Sequence, residues 1–145
     1  MKLSSMLALA TLLGVTASAQ RVAIGYPADG AHVKAGSSLT VEVDRPEFLS
    51  SAQEVAIVIG LQSCPTFQCL PPSLTMGNVL LYNGAYKPEW HSDAPPSKPP
   101  HQNFSVVIPQ DTQKGKAQLG VTHVSLVGAS LGPFLETLNI TLTVV

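Results

Sequence analysis

The chain has 145 residues, of which 45% are hydrophobic and only 12% charged, with eight Lys and Arg against nine Asp and Glu. That balance excludes a disordered chain, which is poor in apolar residues and rich in charge. The few scattered cations likewise exclude a basic face for nucleic acid.

The amino terminus reads as a processing signal. Lys2 supplies a charged start, residues 3–15 an apolar core, and Ala17-Ser18-Ala19 a small-residue cleavage pattern. The apolar run is shorter than the roughly 20 residues a bilayer span needs. A secretory signal peptide is expected over 1–19, followed by a single domain over 20–145 in a secreted, monomeric protein.

Past the signal, residues 22–26 read as a strand that ends in the turn Pro27-Ala28-Asp29-Gly30, and His32 is expected as a turn residue. Leu39, Val41 and Val43 then alternate with Thr40, Glu42 and Asp44, the period of two of a half-buried strand. Residues 55–61 are apolar on both parities, as in a central strand covered on both faces. Residues 78–82 form a short strand, and 86–102 a long loop carrying five prolines, Pro88, Pro95, Pro96, Pro99 and Pro100. Phe104, Val106 and Ile108 alternate up to Pro109, and two long strands follow, 117–127 and 135–145, joined by a glycine-rich turn. Leu119 and Val121 share one parity while Val124 and Leu126 take the other, so a bulge is expected near Thr122 and His123. No helical period appears. The expected fold is all-β, an immunoglobulin- or fibronectin-III-like β-sandwich of about seven strands.

The two cysteines, Cys64 and Cys69, stand in a sequence with a secretion signal, so a disulfide across the short loop is expected. Asn103-Phe104-Ser105 and Asn139-Ile140-Thr141 are N-glycan acceptor sequences with both asparagines on the outward parity. Gly128-Ala129-Ser130-Leu131-Gly132 matches a serine nucleophile elbow, but no helix or histidine follows it and Glu136 is the only titratable side chain downstream. Glu89, His91, Asp93 and His101 could meet around a divalent cation, yet their spacing matches no ligand pattern. The residues therefore lead to no catalytic group, no cofactor and no metal. Tyr86 and Trp90, with His91 and His101 in the same loop, are the candidate partner surface, for a sugar or a protein groove.

The blocks Val33-Lys34-Ala35-Gly36-Ser37, Glu42-Val43-Asp44-Arg45-Pro46, Lys98-Pro99-Pro100-His101-Gln102-Asn103-Phe104, Lys114-Gly115-Lys116-Ala117-Gln118-Leu119-Gly120-Val121 and Pro133-Phe134-Leu135-Glu136-Thr137-Leu138-Asn139, with residues 55–61, resemble the fungal necrosis-inducing secreted protein family. The resemblance implies a non-enzymatic virulence effector. Such an effector suppresses pattern-triggered plant immunity by binding immune receptor-associated kinases and can induce host cell death. It also implies action in the host apoplast and host cytoplasm, and it carries no binding residue over to this chain. The alternative from the residues alone is a secreted polysaccharide-binding β-sandwich module resting on Tyr86 and Trp90.

Overall fold

The computed structural model describes residues 21–47 and 51–145, so the expected signal segment and Gln20 lie outside the described residues. The described residues contain no helix. They form eight strands: β1 (Ala23–Tyr26), β2 (Ala31–Val33), β3 (Ser38–Asp44), β4 (Ala52–Ser63), β5 (Val79–Gly84), β6 (His101–Val107), β7 (Gly115–Val127) and β8 (Gly132–Val144). Two sheets result, one of three strands in the order β1-β3-β6 and one of five in the order β2-β8-β7-β4-β5. Their inward faces share one apolar cluster, with Val41, Val43, Phe104 and Val106 from the first sheet and Ile57, Ile59, Leu119, Val121 and Leu142 from the second. A sandwich-like arrangement follows from these two half-buried faces, since each sheet must hide its apolar parity against something.

The alternation read in β3 is realised, with Leu39, Val41 and Val43 buried. So is the central place of β4, which pairs with β5 on one side and β7 on the other. The β7–β8 hairpin also holds, in unbroken register from Gly115 opposite Val144 to Val127 opposite Gly132.

Two expectations are corrected. His32 is not in a turn; it lies exposed in β2, a three-residue strand that runs parallel to β8 and is too short to show a period. The irregularity expected at Thr122 and His123 lies instead in the neighbouring strand, where the register of β4 shifts between Glu54 and Ala56. Strand β7 keeps its phase, so Leu119, Val121, His123 and Ser125 all face inward and are buried.

Candidate functional site

Strand β3 turns Val41 and Val43 to the core, and the same alternation sends Glu42 and Asp44 to the opposite, outward face. His101 opens β6 directly opposite Asp44 in the antiparallel register, which puts its ring on that outward face too. Ligand atoms of Glu42, Asp44 and His101 lie within 4.8 Å of one another. Gly25 clears the space in front of them: a Cβ there would stand 2.3 Å from Glu42 Oε1 and 2.6 Å from Asp44 Oδ2. It sits where the register of β1 against β3 shifts, between Ile24 and Tyr26.

The long loop lays a cation over this cluster. Lys98 Nζ is ion-paired with Glu42 and donates to Asp44 Oδ2 at 2.9 Å. Burial acts to raise the Glu42 carboxyl, but the hydrogen bond from Lys98 and its charge together outweigh it and hold the group below its usual range. The Lys98 ammonium is raised by the same contact with Glu42. Asp44 is 9% exposed, and its Oδ1 has no hydrogen-bond partner among the described residues.

His101 is buried, and its Nδ1 lies 2.9 Å from the Pro99 carbonyl oxygen. A carbonyl only accepts, so Nδ1 carries a proton and donates. In the neutral ring Nε2 then holds a lone pair, and it faces Glu42 Oε2 at 3.7 Å. A second nitrogen donating to a backbone carbonyl is the arrangement that orients a metal-ligating imidazole.

A second polar group lies inside the sandwich. His123 is fully buried, with Nδ1 3.0 Å from Glu136 Oε1 and Nε2 against Glu54 Oε2. Carboxylates on both ring nitrogens require both to donate, so the ring is an imidazolium. Burial alone would lower its pKa; the hydrogen bonds the ring donates to Glu136 and Glu54, with their charges, outweigh that and raise it to about 9. Arg45 Nε meets Glu54 Oε1 at 2.5 Å, and the Val22 amide donates to Glu136 Oε1 at 2.8 Å. The Tyr86 ring stands edge-on to His123, and burial followed by the Glu54 charge pushes its hydroxyl pKa well up.

Of the expected partner surface, Trp90 and His91 are exposed while Tyr86 and His101 are buried, so the four do not form one surface. Tyr86 instead packs near Phe104 and donates to the Val43 carbonyl, which removes it from any sugar-stacking platform. His91 Nε2 reaches the His101 carbonyl at 3.2 Å. Glu89 pairs with His101 through the backbone alone, so Glu89, His91, Asp93 and His101 do not converge on a cation. Cys64 and Cys69 are bonded, and Asn103, Asn139 and Ser130 are exposed.

The sequence reading missed Glu42, Asp44 and Lys98 as partners of His101, and the whole His123 group. The second had a signal: with the phase of Leu119 and Val121 kept, His123 falls inward, as does Glu136 in the phase of Leu138 and Leu142.

Two solved chains described as superoxide reductase (neelaredoxin) from Ignicoccus hospitalis, one a point variant, are similar to this fold. The variant matches at TM-score 0.50 and 15% identity, over 87% of this chain and 81% of its own. The other matches at TM-score 0.43 and 13% identity, over 83% and 79%. Comparison with curated proteins finds no match. The likeness shows the fold alone and does not specify an immunoglobulin or fibronectin-III type. It also corrects the functional expectation. The solved chain matched at TM-score 0.50 is described as a superoxide reductase, not as a kinase-binding effector or a sugar-binding module. The kinase-binding reading, its polysaccharide-binding alternative and the expected absence of enzymatic activity therefore have no support from the fold. At the level of sequence, the profile of the Nis1 family matches residues 17–143, nearly the whole chain, and the protein belongs to the Nis1 family.

Proposed function

We propose that this protein is a secreted divalent-cation-binding β-sandwich whose site is Glu42, Asp44 and His101, guarded by Lys98. Secretion rests on the amino-terminal pattern and on the disulfide. The necrosis-inducing resemblance is part of the same proposal as a statement of lineage only; its quoted blocks fall within the span matched by the family profile.

The observation that carries the cation reading is the buried imidazole of His101, held by the Pro99 carbonyl with Nε2 facing Glu42 and with a ligand atom of Asp44 in the same cluster. The Asp44 oxygen without a partner supports it. Two carboxylates and one imidazole form a mainly oxygen donor set, suited to Mn²⁺ or Zn²⁺. The set does not fit an imidazole- or thiolate-rich redox metal. Both thiols are consumed in the disulfide, His123 is engaged by two carboxylates, His91 lies against the His101 ring with its Nε2 on the His101 carbonyl, and His32 lies exposed on β2. Superoxide chemistry is therefore not transferred to this chain.

Lys98 already pairs with both carboxylates and offsets one of their two negative charges, so a metal ion enters by displacing its ammonium. Native affinity is then modest, and Lys98→Met tightens it about tenfold or more by removing the competing charge. Titration with Mn²⁺, followed by electron paramagnetic resonance and calorimetry, should show one ion per chain. Asp44→Asn should abolish that binding. Absence of binding in both the parent and Lys98→Met disposes of the proposal.

A further inference from the structure

The loop between β4 and β5 is built to display apolar side chains, not to hide them. Phe67, Leu70 and Leu74 are 56%, 49% and 73% exposed, and Leu80 at the start of edge strand β5 is 62% exposed. Leu80 pairs with Gly60, which faces away from the core between Ile59 and Leu61; Phe67 and Leu70 border Gln62 of the same parity, and Leu74 lies between Pro72 and Met76, which rest on Gly120 and Gly60, so all four belong to the outward side of the five-stranded sheet.

The framework beneath them is rigid. The disulfide closes Cys64 to Cys69. Buried Gln62 and Gln118 then take both backbone groups of Leu70: its amide donates to Gln62 Oε1 at 2.9 Å, and its carbonyl accepts from Gln118 Nε2 at 2.7 Å. Opposed glycines Gly60 and Gly120 let the following segment lie flat on the sheet, since a Cβ on Gly60 would come 2.3 Å from Met76 O. Leucines fixed outward in this way cannot fold back over the sheet.

Charge says what covers them. From Gln62 to Tyr86 the chain carries no charged residue. Beside this neutral stretch, Lys116 accepts the Cys64 amide at its carbonyl, 2.9 Å away, and the Lys114 and Lys116 side chains are exposed. Asp111 is the acidic residue of the adjoining turn, next to Asn78. Projecting apolar side chains with a basic margin match a lipid interface, where apolar groups enter the acyl boundary and lysines meet anionic headgroups.

We propose that this face, Phe67, Leu70, Leu74 and Leu80 with Lys114 and Lys116, docks on an anionic lipid surface. The test uses the processed protein recovered from a eukaryotic host's medium, with N-glycans trimmed. It is sedimented with phosphatidylcholine vesicles with or without phosphatidylserine, and partitioning should be at least about tenfold stronger with the anionic lipid. The surface pairs Leu70→Ser with Leu74→Ser, and Lys114→Glu with Lys116→Glu, should each weaken it about tenfold while circular dichroism stays unchanged. Failure to sediment, or equal sedimentation of parent and variants, overturns the proposal. A dimer in sedimentation velocity that Leu74→Ser converts to monomer also overturns it, by giving the face to a second copy of the chain.

Discussion

His123 is an imidazolium with no exposure to water, which is costly unless both ring protons are matched by fixed charge. Glu54 and Glu136 supply that match from two different strands, and the ring's pKa rises from 6.5 to about 9. The linkage runs in one direction. Between those two values the folded state holds a proton that the unfolded state has released, so stability falls with rising pH. The contribution is complete below about pH 6.5 and is lost as pH rises through about 9. Its upper size is on the order of 3 kcal/mol. Thermal melts should therefore show a falling Tm across that interval, and His123→Gln should flatten the profile; a parent Tm that holds steady there contradicts the assignment. Glu54→Gln leaves the Arg45 guanidinium short of a carboxylate charge as well as weakening the His123 pair. It should cost about 3 kcal/mol or more in urea unfolding, as expected when one partner of a buried pair is removed. The sequence showed these residues without their meaning. A lone histidine in an apolar strand has no local partner, and Glu54 and Glu136 lie 69 and 13 residues away. Glu42 and Asp44 were legible as an outward polar parity. That Lys98 would fold over them was not, because a loop of five prolines carries no period from which to project a side chain.

Among the elements, those with a clean period were legible and those without were not. Strands β3, β4, β7 and β8 declare themselves by alternation or by doubly apolar runs, whereas β2 has three residues and no pattern to offer. The doubly apolar character of β4 has a physical source in the loop that covers its outer face. Gly60 and Gly120, opposite each other, are the gap into which Pro72 and Met76 settle. Gly60→Ala should thus push against a backbone oxygen and cost about 1–3 kcal/mol. Gly120→Ala, whose Cβ would meet Pro72 Cγ at 3.3 Å, should cost less. Equal costs in denaturant titration would mean the loop yields freely. Replacing Cys64 and Cys69 by serine should cost about 2 kcal/mol, the chain-entropy figure for so small a ring.

At the scale of the whole molecule, the Arg45–Glu54–His123–Glu136 chain ties the end of the three-stranded sheet to three strands' worth of the five-stranded one, adding directed contacts to an apolar core that is otherwise indifferent to small slips. The two-sheet class was legible because strands with one apolar parity require a partner layer; which sheet each strand joined was not. Among the described residues strand β1 pairs only with β3, while β2, five residues later, leaves for β8. That crossing bears on synthesis. Strand β8 supplies the register for β2 and for β7, and Glu136 within it holds both His123 and the Val22 amide. During vectorial synthesis the five-stranded sheet cannot close around its charged centre until β8 has emerged, and until then β2 and β7 remain without that neighbour. Compaction of that sheet is therefore a late event in the making of the chain.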